Sequence, residues 1–325
     1  MLQEVFRFSL LGYEIPVYGY GLMLVVAFLA CVKTGQWLAK GRGIHPDVVV
    51  NAAIIALVSG VIGARLCHVL ENLHDYTRHE LSFWQNLGNA ADMRGGGLTF
   101  YGGFLAATPC CIFYAWKKKV PILLGMDIVA PVLMVGLGLG RIGCFLNGCC
   151  YGERCDLPWA VRFPYDSEAY ADQFANRQIM PPPQLLRVTQ DGSYGLVPPH
   201  SSEMRNSPRL QRLAAGSRAL AVHPAELYSS FTAFLLAALL IAYFSLPHVD
   251  GRVFALMMIL EGIARFVLEL LRVEPAVWWQ QVGGHVYGWS ISMILGLLIA
   301  LAGVAMWSAL RLRLQGPAGQ ATRTE

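Results

Sequence analysis

The feature that most constrains this chain is a series of apolar stretches near the length of a bilayer crossing. A helix needs about 20 predominantly apolar residues to span the hydrocarbon core. Seven such stretches can be delimited in the 325 residues, at 17–39, 48–70, 98–116, 122–146, 225–246, 253–272 and 286–310. With 55% hydrophobic and 14% charged residues, the chain is too apolar for an ordinary soluble protein of two domains. The expected fold is an all-α membrane protein with seven transmembrane helices, a single polytopic domain over 1–325.

Basic residues in short loops mark the cytoplasmic side. Lys40 and Arg42 follow the first stretch, Lys117, Lys118 and Lys119 the third, Arg252 lies between the fifth and sixth, and Arg311 and Arg313 follow the seventh. All fall on one side, so the N-terminus is expected outside and the C-terminus inside, with 314–325 a cytoplasmic tail. The opening MLQEVFRFSLLGYEIPVYGY has neither a basic leader before a clean apolar core nor a small-residue cleavage site. No removable signal peptide is therefore expected. The net charge of +4 is mostly this asymmetry plus the tail, which gives no reason to expect a nucleic-acid partner. Two outer segments are long: 71–97, an arm, and 147–222, a small extracytoplasmic head between helices four and five. Within the head, HSSEMRNSPRLQRLAAGSRA reads as a flexible loop.

A charged side chain near mid-bilayer costs roughly 2.5–3.5 kcal/mol, so an embedded ionisable residue is read first as functional. In the sixth stretch, EGIARFVLELLR places Glu261, Arg265, Glu269 and Arg272 at spacings of 4, 4 and 3, on one helical face. That face is expected to point into the bundle. Arg65 and Arg141 lie near the outer ends of the second and fourth stretches; Tyr18 and Tyr20 open the first, Arg94 and Tyr101 the third, and His223, Glu226 and Tyr228 the fifth. Six of the seven stretches thus send polar or cationic groups to one level, where an anionic lipid headgroup would sit. Each group also has a structural reading: Arg272 as a snorkelling residue, Arg265 and Glu269 as an i,i+4 pair, the tyrosines as an aromatic belt, and His223 as a helix-start residue beside Pro224.

Cys144, Cys149, Cys150 and Cys155 fall within twelve residues. Their C-x4-CC-x4-C spacing lacks the paired C-x-x-C of a structural zinc site, so neither a metal nor a cofactor is expected. A disulfide among Cys149, Cys150 and Cys155 stays open, because the outer side of a bacterial inner membrane can be oxidising. Cys144 lies one helical turn from Arg141 and is a candidate to line the same cavity. A quinone-linked thiol oxidoreductase is the remote alternative.

GLGRIGCFLNGCCYG, residues 138–152, resembles the signature G-R-x-G-N-F-x-N-x-E-x-x-G of the prolipoprotein diacylglyceryl transferase family. YGLM at 20–23, GARLCHVL at 63–70, GGGLTFYGG at 95–103, HPAELY at 223–228 and RFVLELLR at 265–272 support the resemblance, in the family's order. It implies transfer of the diacylglyceryl group of phosphatidylglycerol to the lipobox cysteine thiol of a preprolipoprotein, with thioether formation and loss of glycerol 1-phosphate. This is the first step of bacterial lipoprotein maturation. The implied setting is the bacterial cytoplasmic (inner) membrane, crossed many times, with the site towards the outer leaflet. By resemblance, Arg141 and Arg265 bind the phosphate or help it leave, and Arg272 is a gate or headgroup contact. Tyr20, Asn147, Gly152 and Glu269 match further family positions, Glu269 to hold Arg265 and Asn147 to bond the headgroup. Arg65, His223 and Tyr228 complete the substrate-binding candidates.

Three positions depart from the pattern. The family commonly has histidine where this chain has Tyr101, asparagine at Cys144 and glutamate at Cys149. The obvious base is therefore replaced by a group with a free pKa near 10. Tyr101 in strongly cationic surroundings, His223, a bound water or the leaving phosphate are the candidates for its work. The departures leave room for a divergent homologue that uses another acceptor. A non-enzymatic lipid transporter is the reading from a different class. The apolar inner halves of the first, second, fifth and seventh stretches argue against it, with Asp127 the exception.

Overall fold

The computed structural model describes residues 4–10, 13–76, 82–91, 97–189, 192–199, 201–272, 278–282 and 285–315. A hairpin opens the chain, β1 (Glu4–Leu10) against β2 (Tyr13–Tyr18). Helices α1 (Gly19–Gly41), α2 (Pro46–Glu71), α3 (Leu73–Tyr76), α4 (Phe83–Ala91), α5 (Phe100–Lys117) and α6 (Ile122–Asn147) follow. The next section holds α7 (Glu168–Ala175), the hairpin β3 (Leu186–Val188) with β4 (Tyr194–Leu196), α8 (Ser202–Asn206) and α9 (Pro208–Gly216). Long helices then return as α10 (Ala225–Phe244) and α11 (Arg252–Glu269), a third hairpin of β5 (Trp278–Val282) and β6 (His285–Trp289), and α12 (Ile291–Gln315).

The protein is mostly helical; six of the seven expected spans fall on helices throughout most of their length, and the seventh does so from Ile291 onward. Among the described residues, five helices are long and apolar enough to cross a membrane: Gly19–Gly41, Pro46–Glu71, Ile122–Asn147, Ala225–Phe244 and, within α12, Ile291–Arg311. The remaining two, α5 and α11, have 18 residues each; α5 contains Pro109, and α11 carries Arg252, Glu261, Arg265 and Glu269. The start of the seventh stretch is not helical. HVYGW, rich in β-favouring residues, pairs as β6 with the WWQQV of β5, and α12 begins only after Ser290, whose hydroxyl caps it by accepting from Met293 N–H (3.2 Å).

Two compact units are formed, Met1–Ala30 with Leu133–Glu325, and Cys31–Val132. In the smaller unit α2 and α5 pack through small residues. A Cβ on Gly63 would lie 2.6 Å from Gly102 O, and one on Gly103 would lie 3.1 Å from Gly60 O. In the larger unit α11 and α12 meet the same way, since a Cβ on Gly262 would lie 2.7 Å from Ala300 N. α10 is fixed to α6 by the Phe234 ring over Gly138 and by Ser230 Oγ, which donates to Gly138 O (2.9 Å).

Residues 151–222 have a core of their own, in which Phe163, Tyr165, Tyr170, Leu185, Val197 and Val222 are buried together. Burial pushes the Tyr165 phenol up to about 12, although its hydroxyl donates to Val197 O (2.9 Å). The stretch expected as a flexible loop is structured instead. Ser201 and Ser207 cap α8 and α9, Pro208 opens α9 at its first turn, and Met204, Leu210 and Leu213 face the core. Only a thin apolar edge was needed to dock these otherwise polar helices. The cytoplasmic tail assigned from sequence lies almost wholly outside the described residues, as does Arg94.

Gly262→Leu is expected to separate α11 from α12 and to lower stability by about 1–3 kcal/mol through overpacking. Gly216→Ala, where a Cβ meets open space, is expected to leave the thermal unfolding midpoint in detergent unchanged.

Candidate active site

Helix α6 ends at Asn147 because Gly148 turns left-handed (φ +75°). The N–H groups of Gly148 and Cys149 both return to Cys144 O, at 2.9 and 3.2 Å, a glycine C-cap. Cys150 also has a positive φ of 65°, uncommon for any residue other than glycine. Together these turns fold the chain back on the helix end. The sulfurs of Cys144, Cys149 and Cys150 consequently all lie within 4.8 Å of one another. All eight cysteines are unpaired thiols, and the cluster joins Cys144, rather than Cys155, to the adjacent pair. Asn147 directs a hydrogen bond at the Cys149 sulfur.

Arg141, one turn before Cys144, faces a cavity of about 380 Å³, its open mouth included. Cys150, Ala225 and Ser229 from the start of α10, Glu261, Arg265 and Glu269 from α11, and Arg272 form the other walls. The charged face read from the α11 sequence is therefore the face that lines the cavity. Hydrogen bonds from Cys144 and Cys149, and then the Arg141 and Arg272 charges, hold the Cys150 thiol below its ordinary range.

The charges in this cavity are unevenly satisfied. Glu269 Oε2 lies 3.5 Å from Arg272 Nη1, and Glu269 Oε1 accepts from Ser290 Oγ (3.0 Å). Arg265 Nη2 donates to Ser292 Oγ (3.4 Å). Glu269 is thus tied to Arg272 and to the start of α12, not to Arg265. Arg141 makes no hydrogen bond and no ion pair among the described residues.

Glu226, at the first turn of α10, is fully buried, and neither carboxylate oxygen has a hydrogen-bond partner. Its charge interacts with those of Arg141 and Arg272. The sequence marked Glu226 as a polar group opening the fifth stretch, but only the fold shows its burial within reach of the arginine charges. Cys150 and Glu261 are likewise cavity residues that the candidate set omitted; the i,i+4 spacing of Glu261 to Arg265 was the available signal.

Three chain segments cross at Gly152. Gly152 N–H donates to His223 O (2.9 Å), Glu153 N–H donates to Leu271 O (2.9 Å), and Gly152 forms an antiparallel bridge with Arg272. A Cβ there would lie 2.6 Å from Leu271 O and 2.7 Å from His223 Cβ. Glycine is required by this close approach, and the crossing fixes Arg272. His223 Nδ1 is 3.3 Å from Tyr228 OH, which also accepts from Trp159 Nε1 (2.7 Å). The Tyr20 ring packs on Gly143, within electrostatic range of Arg141 and the three clustered cysteines.

Tyr20, Arg141, Asn147, Gly152, His223, Tyr228, Arg265, Glu269 and Arg272 therefore belong to one unit, while Arg65 and Tyr101 belong to the other. Arg65, 8% exposed, donates from Nε to Ala90 O (2.7 Å), from Nη1 to Gly97 O (3.0 Å) and from Nη2 to Asn89 O (3.2 Å), with its guanidinium 5.2 Å from the Tyr76 ring. It ties the end of α4 to Gly97. Tyr101, in the first turn of α5, is 62% exposed.

Comparison with known proteins matches residues 7–309 to the family described as prolipoprotein diacylglyceryl transferase. A phosphatidylglycerol–prolipoprotein diacylglyceryl transferase of Clostridium tetani is 29% identical over 308 residues, which cover 95% of this chain and 98% of that protein. Proteins of the same name from Corynebacterium diphtheriae and Finegoldia magna are each 28% identical, over 91% and 92% of this chain and 89% and 92% of their own lengths. With a match running through nearly all of its length, the chain belongs to the prolipoprotein diacylglyceryl transferase family.

Proposed function

We propose that this chain moves the diacylglyceryl group of phosphatidylglycerol onto the lipobox cysteine thiol of preprolipoproteins, forming a thioether and releasing glycerol 1-phosphate. Arg141 carries the reading: a half-buried guanidinium without a partner among the described residues, in a cavity shared with Arg265 and Arg272. The phosphodiester arrives with one negative charge. When the carbon–oxygen bond breaks, the leaving glycerol phosphate gains a second. A planar guanidinium fork matches phosphate oxygens, and a site held out of water raises its value as charge develops.

Roles follow from how each group is held. Arg141 and Arg265, with few internal partners, act on the phosphate. Arg272, anchored by Glu269 and the Gly152 crossing, contacts the headgroup. Tyr20 and Asn147 line the end of α6, His223 and Tyr228 shape the approach to α10, and Gly152 acts by positioning Arg272. Arg65 acts by holding Asn89, Ala90 and Gly97 of its own unit, and Tyr101 stands at the family's usual histidine position.

In this reading all seven long helices cross the bacterial inner membrane, with the N-terminus outside, the C-terminus cytoplasmic, the 151–222 body extracytoplasmic and the cavity towards the outer leaflet. Helices of 18 residues such as α5 and α11 reach about 27 Å, close to the roughly 30 Å hydrocarbon core. The α11 charges face the cavity, which removes the chief objection to its insertion. The departures at Tyr101, Cys144 and Cys149 favour one second reading, transfer to an acceptor other than a lipobox cysteine.

Incubating the purified protein with phosphatidylglycerol and a lipobox peptide is expected to give lipidated peptide and glycerol 1-phosphate. Absence of product with several lipobox peptides would favour the other acceptor. Arg141→Ala is expected to lower the transfer rate by about 10²–10³-fold, the usual cost of losing one donor to a developing oxyanion, and Tyr101→Phe by less. Equal and complete loss in both would make the tyrosine the base. Glu226→Gln is expected to slow transfer while leaving thermal stability unchanged or raised, because a buried unpaired carboxylate does not stabilise the fold. A drop in stability with normal transfer would make Glu226 structural.

A further inference from the structure

Resting on the diacylglyceryl-transfer reading, a further question concerns how the acceptor thiol loses its proton. A tyrosine at the usual histidine position is a poor acceptor at neutral pH. We propose that Cys144, Cys149 and Cys150 bind one Zn²⁺ ion whose fourth coordination position takes the acceptor thiol, beside the arginine cavity.

Geometry supports a site with three protein ligands. Tetrahedral zinc, with zinc–sulfur bonds of about 2.3 Å, needs sulfurs about 3.8 Å apart. The three sulfurs already lie within 4.8 Å of one another, so side-chain rotation closes the remainder. Sequence spacing had argued against a metal because it looked for ligands in pairs. The glycine cap at Gly148 and the left-handed Cys150 bring the ligands together from a helix end instead. In extended backbone, neighbouring side chains point to opposite faces, and the positive φ at Cys150 lets two adjacent cysteines converge. Strained backbone of this kind persists where its surroundings require it, often at functional sites.

The cluster is open rather than closed. Cys155, the fourth nearby cysteine, is not part of it, and three protein ligands with a vacant fourth position is the pattern of catalytic zinc. Cys150 lines the same cavity as Arg141, Arg265 and Arg272, so a thiol held at the fourth position would sit next to the phosphate site. Three thiolates on Zn²⁺ carry a net negative charge, and the neighbouring guanidiniums offset it. The Asn147 hydrogen bond to Cys149 supplies an outer partner that a thiolate keeps. Two of the three cysteines stand where the family commonly has asparagine and glutamate, and both departures are to the same soft ligand.

A thiol bound to zinc is deprotonated outright, and its proton passes to water on coordination. The bound thiolate then attacks the terminal glyceryl carbon. A carbon–sulfur bond forms, and the carbon–oxygen bond breaks, its electron pair leaving with glycerol phosphate towards Arg141 and Arg265. The product thioether is neutral, binds zinc weakly and leaves. No oxidant or reductant is needed.

The test uses the full chain purified in detergent without chelators. Metal content is measured by mass spectrometry, Cd²⁺ is titrated while thiolate-to-metal absorption is followed, and transfer to a lipobox peptide is assayed before chelation, after it and after zinc is restored. About one zinc per chain is expected, lost in Cys144→Ser, Cys149→Ser and Cys150→Ser. It is also expected to be lost in the double variant Cys144→Asn with Cys149→Glu, which returns the family's residues and guards against a folding artefact. Chelation is expected to lower transfer on the order of 10²-fold, the low end for proton removal in catalysis, with recovery on zinc addition. Full transfer by zinc-free protein, a disulfide within the cluster or stoichiometric binding of a different metal would overturn the proposal and leave the transferase reading standing. Stoichiometric zinc in a protein that lipidates no lipobox peptide would instead refute transfer to a lipobox cysteine, and with it the acceptor role given to the metal.

Discussion

Arg141 is a charge that its own fold does not neutralise. A half-buried ion without a direct partner is costlier than a paired one, and no carboxylate among the described residues makes an ion pair with it. Glu269 is committed to Arg272 and Ser290, while Glu226 and Glu261 act on Arg141 only through the field. In the proposed reading the lipid phosphate completes this arrangement, and the rest of the larger unit holds Arg141 in place for it. Phe234 over Gly138 and the Ser230 bond to Gly138 O lock α10 against α6 one turn before Arg141. Gly262 against Ala300 locks α11 onto α12, which puts Arg265 and Glu269 within reach of Ser292 and Ser290. Small residues here give rigidity, which the proposed phosphate site needs.

The same helix end serves a second purpose. Gly148 stops α6 and turns the chain, Cys150 continues the turn, and Gly152 threads the chain between His223 and Leu271. Over five residues the backbone therefore places a sulfur cluster, one wall of the arginine cavity and the anchor of Arg272. A change at any of the three glycine-dependent or left-handed positions moves more than one part of the site.

Much of this was legible in the sequence because membrane insertion simplifies the reading. Apolar length marked the long helices, and the 4, 4, 3 spacing in EGIARFVLELLR marked the cavity face of α11. What spacing could not decide was the partner of Glu269. An i,i+4 match to Arg265 and an i,i+3 match to Arg272 are equally good on paper, and Ser290, from another helix, settles the geometry. The closeness of the three cysteines was hidden for a related reason: spacing along a chain says little about which sulfurs meet once a left-handed residue folds that chain back on itself. Residues 201–216 read as a loop because their helices are short and polar, with only Met204, Leu210 and Leu213 turned to the core. The opening of the seventh stretch read as helix because apolar content alone does not distinguish a hairpin strand from a span.

The most direct measurement is a structure of the full chain in lipid nanodiscs containing phosphatidylglycerol. The phosphate is expected within hydrogen-bonding distance of the Arg141 guanidinium, with Arg265 as its second cationic contact. A headgroup bound elsewhere, with Arg141 drawn instead into a pair with Glu226 or Glu261, would contradict the assignment of Arg141 as the phosphate site.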